Sequence, residues 1–107
     1  MTHKSRRVII TAHARADLII HRKHIEVLSP DTARATIIDL VRKFHDIAAK
    51  GLTGSKRLWA PEHIRAFPYK KHCFYFRVDN GTLTLIRVTA HRQDVREMDF
   101  PASDESA

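Results

Sequence analysis

The stretch FYFRVDNGTLTLIRVTAHRQD, residues 74–94, decides the fold. Two runs rich in aromatic and β-branched residues flank Asn80-Gly81, a two-residue turn in which both positions tolerate positive φ. They predict an antiparallel hairpin. The turn sets its register, with Val78 opposite Leu83, Phe76 opposite Leu85, Phe74 opposite Arg87 and His72 opposite Thr89 on one face. Arg77 opposite Thr84, Tyr75 opposite Ile86 and Cys73 opposite Val88 share the other. Either face could take the core. Arg87 in mid-strand is an odd place for a cation without a partner. The register also gathers charge at the end of the sheet away from the turn.

Working outward, RRVIIT at 6–11 reads as a first strand, because Val8, Ile9 and Ile10 suit a pleated, largely buried position. Thr11 can cap the helix that follows. Ala14, Leu18, His21, Ile25 and Leu28 fall three or four apart on that helix and make one stripe, with His21 a half-buried packing residue. Ser29, Pro30 and Asp31 supply an N-cap, a first-turn proline and an acid at the positive end of the dipole. The second helix places Ala33, Ile37, Leu40, Val41, Phe44, Ile47 and Ala48 on one face and stops at Gly51. Two amphipathic helices joined by so short a loop form an antiparallel pair and need a sheet as their third surface. GLTGSKRLWAPEH, residues 51–63, reads as a polar loop in which Trp59 covers the core edge. IRAFPYK, residues 64–70, reads as a short edge strand, since Pro68 cannot donate to a ladder on both sides. RQDVREMDF can add a short final helix or strand. The fold expected is α+β, in the order β-α-α-β-β-β, with a helical hairpin on a small, mainly antiparallel sheet. One domain spans 1–100, and PASDESA (101–107) is expected to be a disordered acidic tail.

The 107 residues hold 19 Lys and Arg against 12 acids, a net charge of +7. Residues 1–92 contain 18 of the basic and 7 of the acidic side chains, so the body is more basic than the whole. Such a body attracts a polyanion, whether nucleic acid, an anionic membrane surface or an acidic protein segment. No apolar run is long enough to span a bilayer. The single Cys73 cannot form an internal disulfide, and VIITA is too short for a signal-peptide core, so the cytoplasm is the compartment expected. The eight histidines are scattered, and His21 with His24 lacks a third ligand at metal-binding spacing, so neither metal nor cofactor is expected.

ARADL, SPDTA, IRAFPYK, FYFRVDNGTLTLIRV and HRQD, in this order and spacing, resemble the ParE/RelE superfamily of toxins from type II toxin–antitoxin operons. The resemblance covers about residues 7–98. It implies a toxin held by the acidic or helical segment of a cognate antitoxin, with one of two targets. ParE-like members poison DNA gyrase; RelE-like members cut messenger RNA on the ribosome. Metal-free RNA cleavage needs a base, phosphate-binding cations and an acid at one point. Arg77 and Arg87 fall on opposite faces in the register above, whereas Arg87 and His91 share a face, so Arg65, Arg87 and His91 form the one nuclease set expected. Many relatives place a His where Ala90 stands, one residue before His91, and such an offset turns a side chain to the other face unless a bulge restores it. SPDTA, IRAFPYK and FYFRV are closer to the ParE branch. The expectation is therefore a plasmid-stabilising gyrase poison, with ribosome-dependent mRNA cleavage as the alternative. Arg57, Arg65, Arg87, His91 and Arg92 are the residues expected to meet target or antitoxin. A basic adaptor that binds nucleic acid directly fits less well, because no recognition helix or stacking platform is apparent.

Overall fold

The computed structural model describes residues 5–57, 60–61 and 63–90. Seven elements follow one another: β1 (Arg7–Ile10), α1 (Ala12–Glu26), α2 (Pro30–Ala49), β2 (Ser55–Lys56), β3 (Arg65–Tyr69), β4 (His72–Asp79) and β5 (Thr82–Ala90). Their five strands form a single mixed sheet in the order β1-β5-β4-β3-β2, with β1 parallel to β5 and the remaining pairs antiparallel. The fold is α+β, two helices on one sheet. Trp59, the exit segment after Ala90, and the acidic tail lie outside the described residues, so the readings placed on them do too.

The helix boundaries follow local chemistry. The Thr11 hydroxyl accepts from the Ala14 amide, and the Ser29 hydroxyl accepts from Thr32 at the start of α2, each satisfying an amide that the first turn leaves unpaired. Pro30 occupies the first turn of α2, and Gly51 leaves it with φ 68, a left-handed exit that suits glycine. The stripe on α1 is shorter than its spacing predicts. Ala14, Leu18 and His21 are buried, but α1 ends at Glu26 and Leu28 is 89% exposed in the connection.

The sheet face that takes the helices is the one bearing Phe74, Phe76, Leu83, Leu85 and Val88. These pack with Ala14 and Leu18 of α1 and with Leu40, Phe44, Ile47 and Ala48 of α2. Phe44 lies at the centre, its ring 5.5 Å from Phe74 and 5.8 Å from Phe76 between centroids. The opposite face carries a smaller buried cluster of Ile64, Ala66, Tyr75 and Ile86.

Two features depart from the sequence reading. Ser55 and Lys56 form a strand, β2, paired with Ala66 and Arg65 in what reads as a loop. Because β2 covers only the start of β3, no strand among the described residues pairs with that edge at Phe67–Tyr69, and the exposed Pro68 falls in this part. The hairpin register holds from the turn through Phe76↔Leu85 and then shifts by one residue. Beyond a bulge at Ile86, Tyr75 faces Arg87, Phe74 faces Val88, Cys73 faces Thr89 and His72 faces Ala90. The extra residue keeps Val88 with Leu83 and Leu85 in the helix-side core, which uninterrupted alternation would not do.

Candidate functional site

β5 is paired with β1 only as far as Leu85, and α1 takes over the edge from there. The Thr11 hydroxyl donates to the Leu85 carbonyl at 2.8 Å. Asp17 accepts from the Val88 amide at 2.9 Å, and His21 Nε2 lies 2.9 Å from the Val88 carbonyl. Three polar side chains of one helical entry thus replace the missing strand ladder, and this explains why Thr11, Asp17 and His21 are buried.

Arg87 finds its partner in this arrangement. Its Nε and one terminal nitrogen donate to the two oxygens of Asp17 at 2.8 and 2.9 Å, a bidentate pair with side chains only 15% and 8% exposed. The bulge moves Arg87 opposite Tyr75, the same register side of β4 as Arg77, and not opposite Phe74 as alternation predicts. Asp17 is the residue the sequence reading missed. Its signal is there in ARADL: an acid three residues after Ala14 and four before His21, inside the apolar stripe. An acid on a buried helix stripe and a cation in mid-strand are complementary anomalies.

Arg65 and Arg57 sit at the other side of the sheet. Arg65, on β3, directs its Nε to the Thr53 carbonyl at 3.0 Å, and Arg57, just after β2, directs a terminal nitrogen to the Ser55 hydroxyl at 2.6 Å. The whole of β4 separates Arg65 from Arg87, so the two stand about 10 Å apart across the strands. Of the charge expected at the end of the sheet away from the turn, Arg87 is held by Asp17, and His91 and Arg92 lie outside the described residues. Arg65 and Arg77 line an open depression of about 400 Å³ toward the turn end, together with Thr53, His63, Val78 and Asp79.

The remaining titratable groups are set by packing. Burial pushes the Tyr75 hydroxyl up to about 12, and it raises the Cys73 thiol as well. At neutral pH neither is a ready proton carrier or nucleophile. Lys70 occupies the β3–β4 turn with φ 54, an uncommon conformation for a side chain with a Cβ. Its ammonium donates to Asp39 of α2 at 2.9 Å, where the Tyr69 hydroxyl also donates, so the turn is tied to the helix. The hydrogen bond from Lys70 holds the Asp39 carboxyl below its usual range. Among the described residues no three His, Cys, Asp or Glu side chains cluster as metal ligands.

The fold matches a solved structure described as the chromosomal ParDE toxin–antitoxin system from P. aeruginosa. That match has a TM-score of 0.68 and 22% identity, and covers 81% of this chain and 97% of the other. No curated protein matches the chain. The family model for the ParE toxin of the type II toxin–antitoxin system parDE matches residues 8–95, from β1 through the whole sheet. The chain belongs to the ParE toxin family of type II toxin–antitoxin systems.

Proposed function

We propose that this toxin acts on DNA gyrase and is neutralised by a cognate antitoxin whose acidic, helical segment binds the basic body. Membership in the ParE family is the observation that supports this reading most directly. Gyrase poisoning requires binding, whereas RNA cleavage requires a base, an acid and phosphate-holding cations at one point. Among the described residues the nuclease set is divided: Arg65 and Arg87 are separated by β4, and Arg87 is chelated by Asp17. Tyr75, a further proton-transfer candidate, is 4% exposed with its hydroxyl pushed up to about 12. These features favour a binding toxin over a catalytic one. Arg57, Arg65, His91 and Arg92 are assigned to target or antitoxin contact; Arg87, chelated by Asp17, contributes by securing the end of β5.

The test is purified toxin in a gyrase supercoiling assay, alongside translating ribosomes with labelled message. Loss of supercoiling, relieved by the antitoxin encoded beside it, with intact message is the expected result. Ribosome-dependent cleavage of message with normal supercoiling would replace this reading with the nuclease one.

A further inference from the structure

We infer that the outer groove of the helical hairpin, between α1 and α2, seats the acidic, helical segment of the cognate antitoxin. This rests on the reading that such a segment neutralises the toxin, and adds where on the molecule the segment lies. Five large apolar side chains are exposed among the described residues: Ile19, Ile20, Val27, Leu28 and Ile38. All five belong to the hairpin or its connection, and none to the sheet. Exposed apolar surface gathered on one part of a molecule marks a place that a partner covers.

A depression of about 260 Å³ lies between the two helices, lined by Arg22, Glu26, Pro30, Arg34, Ile37 and Ile38. Arg15, Ile19, Arg22 and Glu26 stand three or four residues apart and so share one edge of α1, while Arg34 and Ile38 share an edge of α2 in the same way. Ile19 and Ile38 are 42% and 44% exposed, and Val27 and Leu28 follow at the hairpin connection. From Arg15 to Glu26 the α1 edge runs about 16 Å, room for about three turns of a third helix.

The rim of this groove is basic. Glu26 is occupied by Arg22 at 3.5 Å, and Arg34 makes no ion pair among the described residues, so Arg15 and Arg34 carry charge beyond what Glu26 offsets. Isoleucines between arginines suit a helix that presents an apolar stripe flanked by carboxylates. A phosphate backbone would leave Ile19 and Ile38 uncovered. A second copy of a chain with net charge +7 would bring the same arginines against one another.

Isothermal titration of the full chain with the purified antitoxin encoded beside it tests the assignment. Ile38→Glu places a carboxylate within the groove and Arg34→Glu reverses the charge of its rim. Lys71→Glu makes the same reversal at the exposed β3–β4 turn, and thermal melts establish that each variant is folded. Ile38→Glu and Arg34→Glu are each expected to weaken binding about tenfold or more, with Lys71→Glu within about threefold of the wild type. Folded Ile38→Glu and Arg34→Glu variants that bind like the wild type would overturn the groove assignment and leave neutralisation intact. An equal loss in Lys71→Glu would also overturn it, since general charge attraction would then account for binding. A wild type that does not bind the antitoxin would instead remove the reading underneath. Light scattering of the free toxin reads the competing occupant: a dimer that Ile38→Glu dissolves would give the groove to a second copy.

Discussion

Asp17 secures the end of β5, because one carboxylate both chelates Arg87 and accepts from the Val88 amide. Removing one member of such a buried pair leaves the other charge uncompensated, so Asp17→Ala and Arg87→Ala should each cost about 3 kcal/mol or more in urea denaturation. Asp17→Leu combined with Arg87→Met should cost less than the sum of the single losses, since neither charge is then stranded. Additive losses would show that the two side chains act independently. Reduced toxicity of Arg87→Ala should accordingly track its loss of stability. Thr84 presents the opposite case. It is fully buried and its hydroxyl has no partner among the described residues, so Thr84→Val should raise stability by about 1 kcal/mol in the same measurement. His72 gives the residue scale its pH dependence. Burial, and next the charge of His21, whose ring lies edge-on at 5.1 Å, hold His72 below its usual 6.5. The folded state then takes up this proton less readily than the unfolded chain. Stability from this group is full above 6.5 and is lost as pH falls below it, down to the lower folded value. The melting temperature should therefore drop between about pH 7.5 and 5.5, and His72→Gln should shrink the drop.

At the scale of elements, two glycines with similar backbone angles separate turn chemistry from packing. Gly81, in the β4–β5 turn at φ 88, has nothing within 4 Å of where a Cβ would stand. Gly54, before β2 at φ 62, would place a Cβ 2.5 Å from the Ala66 carbonyl oxygen and 2.9 Å from the Phe76 ring. Gly81→Ala should cost about 1 kcal/mol from the left-handed conformation alone, and Gly54→Ala clearly more, because backbone must also move. Thermal melts of the two variants side by side check the order; equal losses would mean that the Gly54 approach is relieved at little cost. The elements themselves were largely legible. Caps at Thr11 and Ser29, the proline start of α2, and Asn80-Gly81 are local signals, and local hydrogen bonding decides them. The bulge at Ile86 and the two-residue β2 were not legible, since each exists only through contacts with a strand distant in sequence.

At the scale of the molecule, β1 closes the sheet against the last described strand, with Val8 beside Leu83 and Ile10 beside Leu85. A chain lacking residues 1–10 would lose this cover and open the β5 edge next to the core. Size-exclusion chromatography should find it aggregated, whereas a monomeric, folded product would show that the helices alone protect that edge. The basic character of the molecule was legible in composition, but its placement was not. Arg87 is held by Asp17, while Arg65 and Arg77 line the depression at the turn end.

The sequence by itself determined the helical hairpin, the β4–β5 turn and the likeness to the ParE family, because capping, periodicity and turn residues act within a few positions of one another. Only the tertiary structure decided which sheet face is covered, that Arg87 belongs to Asp17 and which cations share a wall. Those outcomes depend on a one-residue bulge and on α1 lying along an open strand edge. Both are set by where buried polar groups find partners across the fold, and neither leaves a local mark in the chain.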